Sequence, residues 1–320
     1  MREFNRVLFS VALFCCSAVN AADWPTRNLT VIVPYGPGGG VDTFARPIAQ
    51  RLTEQLGQTV VVMNRPGAGG TIGVRAAAQA TPDGYTILAG GVHQPMSEPL
   101  FPKRGYDFGK DFTPLAVTAV VPNILVAHPK VTLNSAKEVA EYARANPGKL
   151  SYCSGGSGTA AHIVGELFRM NTQTNLIHVP HTGTAAAYLT FLSGNCDLMF
   201  DGLGTAAPYL NSNRIRGIAM TSKERSSFFP AIPTMQQSGA PEMDAGTWYG
   251  MWAPTNTPPE IVARLNKEIT IALNTAQVKE AWKAQAAIAP NFKLDELTPF
   301  VRDEITKWGN IIRKAGIVAE

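Results

Sequence analysis

Charge is scarce in this chain. Only 16% of its 320 residues are Asp, Glu, Lys or Arg, and the net charge is +4. No basic stripe is interleaved with aromatics, which excludes nucleic acid as a partner. Cysteine is scarcer still, four residues in all, and two of them (Cys15 and Cys16) lie in an apolar N-terminal run. After that run no segment reaches the ~18 unbroken apolar residues of a membrane-spanning helix. Gly-Lys-Ser/Thr appears nowhere, so there is no P-loop. A dinucleotide fingerprint fails too: counting six from Gly36, Gly38 or Gly67 ends on Val41, Thr43 or Ile72, not glycine or alanine. No acidic residue closes the following strand. His178 and His181 have no cysteine or carboxylate at ligand spacing, so no metal site is expected. The expectation is a protein without cofactors.

What is present begins at the N-terminus. Arg2 and Arg6 flank a short basic region, Val7–Val19 is a 13-residue apolar run, and Val19-Asn20-Ala21 places small residues where a signal peptidase reads. Residues 1–21 are therefore predicted to be a signal peptide cleaved near Ala21/Ala22, and the mature chain to be exported to the periplasm. Its removal leaves 26 basic and 23 acidic residues. Cys153 and Cys196 remain, and two fates stay open for them, a disulfide or two buried thiols.

The remainder is long enough for two domains, each with its own core. The first carries the stretch Val31–Asp42, VIVPYGPGGGVD. A β-branched run ends in a glycine triplet, and Phe44, Ile48, Leu52 and Leu56 then repeat at helical spacing, giving a helix from about Asp42 to Leu56 that Pro47 should kink. Thr59–Met63 is an unbroken β-branched run suited to a strand buried on both faces. A short helix (Thr71–Ala80) and a third strand (Tyr85–Ala89) complete a doubly wound α/β pattern. Leu115–His128 reads as extended, broken at Pro122, and leaves the first domain. The second half repeats the device. Leu150–Cys153 is a strand, Ser154–Thr159 a Gly/Ser turn and Ala160–Met170 the helix behind it. Three strands and another helix follow, as far as Met220. Three terminal helices, from Glu260, Ala276 and Thr298, need a surface to pack on, and the first domain is the economical choice. The expected architecture is α/β, with lobe 1 discontinuous (22–122 and 225–320) and lobe 2 spanning 123–224.

A strand, a glycine-rich turn and a helix N-terminus line a crevice with backbone N–H groups, which favour an anion. With phosphate signatures missing, the anion in question is a carboxylate. Ser154, Ser157, Thr159 and Thr184 offer neutral hydrogen bonds, or serve their own turns and caps. Asp42 reads as a helix-start residue. A nucleophile elbow is a competing reading at Ser157, but Gly155-Gly156-Ser157-Gly158-Thr159 displaces the last glycine of G-x-S-x-G by one. His162, five residues on, reads as structural or ligand-assisting.

Several blocks in order resemble the Bug receptors, the periplasmic solute-binding proteins of tripartite tricarboxylate transporters. They are WPTRNLTVIVPYGPGGGVDTFAR (Trp24–Arg46), NRPGAGGTIG (Asn64–Gly73), PDGYTIL (Pro82–Leu88), GSGTAAHIVGELF (Gly156–Phe168), VPHTGTAAAY (Val179–Tyr188), DLMFD (Asp197–Asp201) and APTNTPPEIVARLN (Ala253–Asn266). The resemblance implies a type II periplasmic binding fold, a Venus flytrap of two lobes closing on a ligand. It implies carboxylate capture by Tyr35, Gly36, Pro37, Gly38, Gly39 and Gly40 with ordered water. Ser154, Gly156, Ser157, Gly158 and Thr159 would face that loop, and His162 and Asp201 would stand close to the cleft. Gly91, His93, His181 and Thr184 complete the expected ligand-binding set. Pro47, His181 and the turn Gly90–His93 depart from the family pattern, and the last two bear on the distal end of the ligand. The family also implies no catalysis, a monomer, and delivery of a small carboxylate, mono- or dicarboxylate, to membrane permease subunits. An aromatic ligand would stack on Tyr35 or Trp248. A secreted serine hydrolase using Ser157 and a receptor signalling to a membrane sensor are the alternatives.

Overall fold

The computed structural model describes residues 24–317; the expected signal peptide lies outside the described residues. Two five-stranded sheets form the frame. In the first, β1 (Leu29–Val33), β2 (Val60–Asn64), β3 (Thr86–Gly91), β4 (Phe112–Val121) and β10 (Thr247–Pro254) run in the order β2-β1-β3-β10-β4. In the second, β5 (Asn123–Ala127), β6 (Ser151–Ser154), β7 (Ile177–Pro180), β8 (Leu198–Gly202) and β9 (Arg216–Met220) run in the order β7-β6-β8-β5-β9. The two orders are the same pattern. Three parallel strands are followed by one antiparallel strand, β10 or β5, which pairs on both sides. Each antiparallel strand follows a crossing of the chain from one sheet to the other. Pro122 separates β4 from β5, as its missing N–H and fixed φ favour.

Helices cover both faces of each sheet. On one face of the first lie α1 (Gly40–Leu56), α9 (Pro259–Leu273) and α10 (Ala276–Ala284); on the other lie α2 (Thr71–Ala78), α3 (His93–Leu100) and α11 (Leu294–Ala315). A four-residue turn, α4 (Phe108–Asp111), precedes β4. In the second lobe α5 (Ala136–Ala145) and α6 (Ala160–Thr172) cover one face, α7 (Thr184–Leu192) and α8 (Leu203–Asn211) the other. The apolar stripe of α1 is buried through Phe44, Ile48 and Leu52, and α11 fixes its end of the first lobe through the buried Trp308 and Ile312.

Four expectations change. Thr59–Met63 is not buried on both faces. β2 is the edge strand, and Val61 and Met63 are about 40% exposed (42% and 39%). β-Branched composition alone does not tell a central strand from an edge. The helix over Pro47 begins at Gly40 rather than near Asp42 and runs as one element to Leu56. Helices α3 and α8 were not foreseen, because Pro99 and Pro208 lie inside them. Finally, the chain does not return to the first lobe at residue 225. Met235 donates to the Met220 carbonyl, Ser238 binds the start of α5, and Ala245 donates to the Thr221 carbonyl. The segment to Ala245 therefore builds onto the second sheet. Cys153 and Cys196 are free thiols, both fully buried, so of the two open fates the structure has the unbridged one.

The carboxyl end of β3 lies close against the start of β10. A Cβ added at Gly91 would stand 2.1 Å from the Trp248 carbonyl oxygen, and backbone cannot yield as a side-chain tip does. Gly91→Ala should therefore cost roughly 1–3 kcal/mol, read as a lower urea midpoint at unchanged slope; an unchanged midpoint would show that β10 is free to shift.

Candidate functional site

In an open α/β sheet ligands bind outside the carboxyl ends of strands, where neighbouring connections diverge. β1 and β6 are those strands here. Each has parallel neighbours on both sides and runs into a glycine turn and then a helix, α1 or α6. The two turns picked out from sequence therefore hold equivalent positions in the two lobes.

The first turn, Tyr35–Gly40, is shaped by one buried carboxylate. Asp42 Oδ2 accepts from the Gly38 N–H at 2.9 Å and from Arg46 Nε at 2.8 Å. Its Oδ1 accepts from Arg46 Nη2 at 2.8 Å and from Asn64 Nδ2 at 2.9 Å. Asn64 also donates to the Tyr35 carbonyl at 2.9 Å. Burial alone would raise the Asp42 pKa, but the bonds from Arg46, Gly38 and Asn64 outweigh it and hold the carboxyl below its usual value. Gly38, at φ +75°, takes a left-handed conformation that glycine adopts without strain. The Gly38 N–H is spent on Asp42. The N–H groups of Gly40, Val41 and Asp42, in the first turn of α1, have no partner among the described residues.

Of these, Gly40 borders a cavity of about 430 Å³ between the lobes. From lobe 1 it is lined by Gly38, Gly40, Thr43, Phe44, Tyr249 and Gln285; from lobe 2, by the β8–α8 junction at Gly202, Gly204 and Thr205, with Tyr209. No lysine or arginine is in the lining. Tyr249 is the floor under the loop. Its ring stacks on Phe44 at 4.4 Å, and its hydroxyl lies where a Cβ on Gly40 would be, 2.2 Å away. Tyr35 packs over Gly70 and lies 5.2 Å from the His93 ring. Burial pushes the Tyr35 and Tyr249 hydroxyls up, so both stay protonated donors. Burial likewise pushes His93 down to about 4, which keeps it neutral, and its Nδ1 is covered without a partner among the described residues.

Asp201, at the end of β8, is the counterpart of this corner in lobe 2. Strand alternation sends its side chain toward α7, beside Tyr188. Oδ2 is covered and reaches no hydrogen bond, and no cation offsets it. Burial raises its pKa to about 6, against partial relief from the Gly202 N–H and Tyr188.

The second turn is arranged differently. Ser154 is fully buried, and Gly156 N–H donates to its Oγ at 3.1 Å. Gly158 N–H donates to His162 Nδ1 at 3.0 Å, and Thr159 caps α6 through the His162 N–H. His181 and Thr184 pack directly behind: the His181 N–H donates to the Ser154 carbonyl at 3.0 Å, and Gly155 would crowd Thr184 if it had a Cβ. The predicted residues thus form two groups. Tyr35–Gly40, Gly91, His93 and Asp201 gather around Tyr249; Ser154–Thr159, His162, His181 and Thr184 form the second turn. The cavity lining at the first turn contains none of the second group and takes its lobe 2 wall from α8 instead. Trp248 is no stacking platform. It is buried among Trp252 and Phe300, with Nε1 on Glu304 at 2.6 Å. Period-2 alternation in β10 could have pointed to its neighbour Tyr249. The α8 wall had no such signal, since its helix was unforeseen.

Ser154 and His178 are 2.7 Å apart, a serine–histidine contact, but Ser154 has no exposed surface to meet a substrate. His162, expected behind Ser157, has its Nδ1 committed to Gly158.

The profile of the family described as "Tripartite tricarboxylate transporter family receptor" matches residues 44–317. The chain belongs to that family. It is 35% identical over 321 residues to Protein BugT of Bordetella pertussis (strain Tohama I), covering 98% of both chains. Among solved structures it resembles R. palustris Rpa4515 with adipate (32% identity, TM-score 0.85, covering 93% of this chain and 100% of that one). It also resembles MatC (Rpa3494) from Rhodopseudomonas palustris with bound malate (31%, 0.82, 90% and 100%). Its two sheets and their helices are those of the two-lobed periplasmic binding fold.

Asp42 and Asp201 make opposite predictions for this receptor. The depressed Asp42 adds stability above its unfolded pKa, about 3.8, which is lost as pH falls through its folded value. Asp42→Asn should lose on the order of 2 kcal/mol at neutral pH, the difference closing in acid. The raised Asp201 costs stability as pH climbs through about 6. Asp201→Asn should melt above wild type near neutral pH and level with it in acid. Thermal scans across pH check both, and the same sign for the two variants would contradict this electrostatic account.

Proposed function

We propose that this receptor captures a small organic carboxylate between its lobes, with one carboxylate group at the start of α1. The carrying observation is the start of α1, whose first N–H groups are unpartnered among the described residues and where Gly40 lines an interlobe cavity with no lysine or arginine. Oriented peptide dipoles at a helix N-terminus stabilise an anion by up to ~2 kcal/mol when partly buried, and a fixed backbone reads the carboxylate without reading what is attached to it. Adipate and malate in the two similar structures share that group and differ in the rest of the molecule. The aromatic lining of Tyr249, Phe44 and Tyr209, with Thr205 as a hydroxyl donor, accommodates an apolar or hydroxylated body. On this reading the ordered-water-assisted loop Tyr35–Gly40 holds the shared group, and His93, Asp201 and the second turn act on the distal end.

The protein works in the periplasm after loss of residues 1–21, as a monomer without a cofactor. It hands its ligand to the membrane permease subunits of a tripartite tricarboxylate transporter and turns nothing over. No helix among the described residues is long and apolar enough to cross a membrane, which agrees with a receptor that delivers to a separate permease.

A thermal-shift panel of C4–C6 mono- and dicarboxylates, malate and adipate among them, tests this. A cognate acid at a hundredfold its Kd should add about 2.7 kcal/mol of stability. Gly40→Ala, whose Cβ collides with the Tyr249 hydroxyl, should abolish the shift while the protein still folds. No response to any carboxylate, together with ester hydrolysis lost in Ser157→Ala, would replace the receptor reading with the hydrolase one.

A further inference from the structure

The second glycine turn rests on a column of three rings. Tyr152 on β6 stacks on His178 of β7 at 4.8 Å and 22° between planes, and His178 stacks on His162 of α6 at 4.2 Å and 17°. Both imidazoles reach the turn. His162 Nδ1 accepts the Gly158 N–H at 3.0 Å. His178 Nε2 lies 2.7 Å from Ser154 Oγ, which accepts the Gly156 N–H at 3.1 Å. Gly156 (φ +129°) and Gly158 (φ +79°) are the two left-handed glycines of the turn. Each is thus held by one of the stacked rings, directly or through one serine.

The chemistry of the first contact is unambiguous. A backbone N–H can only donate, so Nδ1 of His162 must carry a lone pair, and its proton, when neutral, sits on Nε2. A proton at Nδ1 would turn the acceptor into a second donor facing the Gly158 N–H. A charged ring at 4.2 Å would also oppose charge on its neighbour.

We propose that His162 and His178 are positioning residues forming an acid-sensitive latch, which holds the second glycine turn in shape only while both rings are neutral. The surroundings favour the neutral state near pH 7. Burial and the adjacent His162 push His178 down to about 4, with Arg169 and His181 acting the same way and Glu166 opposing them. Glu166 is itself engaged by Arg169 at 2.8 Å and by the Tyr152 hydroxyl at 2.5 Å. The first turn has no such element. It is held by Asp42 with Arg46, and hydrogen bonds from Arg46, the Gly38 N–H and Asn64 hold the carboxyl below its usual value and need no neutral ring. Acid therefore releases one jaw and leaves the other set. The consequence for the ligand rests on the carboxylate-receptor reading; the latch itself does not.

NMR of the ligand-free chain tests it. Near neutral pH the ¹⁵N shifts of His162 should show an unprotonated Nδ1. On acidification the Gly158 amide should shift and exchange with solvent at least tenfold faster, with the same midpoint as the His162 ring, while the Gly38 amide does not follow. His162→Asn sets an oxygen where Nδ1 stood and should keep Gly158 protected across the titration; His162→Ala should leave it unprotected throughout. Gly158 protection that persists in wild type once His162 is protonated would overturn the latch, as would an identical acid step in His162→Asn. The C4–C6 carboxylate panel, run at neutral pH, separates the two readings: no binding by any member would count against the receptor and leave the latch standing.

Discussion

Everything at the first jaw depends on the carboxylate of Asp42. It is buried at the start of a helix whose free N–H groups are the proposed ligand donors, and it brings negative charge close to where an anion is to bind. The conflict is resolved by Arg46, one turn along, and by Asn64 from the neighbouring strand, which take up both oxygens. What remains of Asp42 is its grip on the Gly38 N–H, which turns the glycine triplet and leaves Gly40, with its unpartnered N–H, at the cavity wall. Charge is thus used to shape backbone, and backbone is left to meet the ligand. A cation in the cleft would bind an anion more strongly but would also fix its position by point charge. On the proposed reading, peptide dipoles hold the carboxylate and leave selection to Tyr249, His93, Asp201 and the α8 wall.

The two lobes solve the same problem with different chemistry. Both place a glycine turn at the carboxyl end of a strand with parallel neighbours on both sides, and both begin a helix there. In lobe 1 the turn is held by an ion pair with an amide; in lobe 2 by stacked neutral imidazoles and a buried serine. The topology is shared and the local chemistry is not, which accounts for two architecturally alike halves whose sequences show no repeat.

Much of this was legible in the chain. The glycine triplet, the helical spacing behind it and the Gly/Ser turn placed both jaws, because β-branched runs and glycine clusters report local backbone geometry directly. The break at Pro122 marked the first crossing for the same reason. What was not legible depends on long-range packing. The edge position of β2 is set by sheet order and not by its valines. The wall formed by α8 belongs to a helix with Pro208 inside it, and the late return of the chain after Ala245 is fixed by hydrogen bonds that tie Met235 to the end of β9 and Ser238 to the start of α5. Trp248 and Tyr249 are neighbours on β10, and one step of alternation separates the buried face of the first from the cleft face of the second. The role of His178 as a stacked support needed the register that sets it opposite Tyr152.

The central claim is that backbone dipoles, not a side-chain cation, hold the carboxylate. A crystal structure of the protein with an acid that raises its melting temperature tests this most directly. The account predicts carboxylate oxygens at hydrogen-bond distance from the Gly40 and Val41 N–H groups, with the ligand body against Tyr249 and α8. A carboxylate paired with lysine or arginine, or seated in the separate groove beside Trp282 and Lys283, would contradict it.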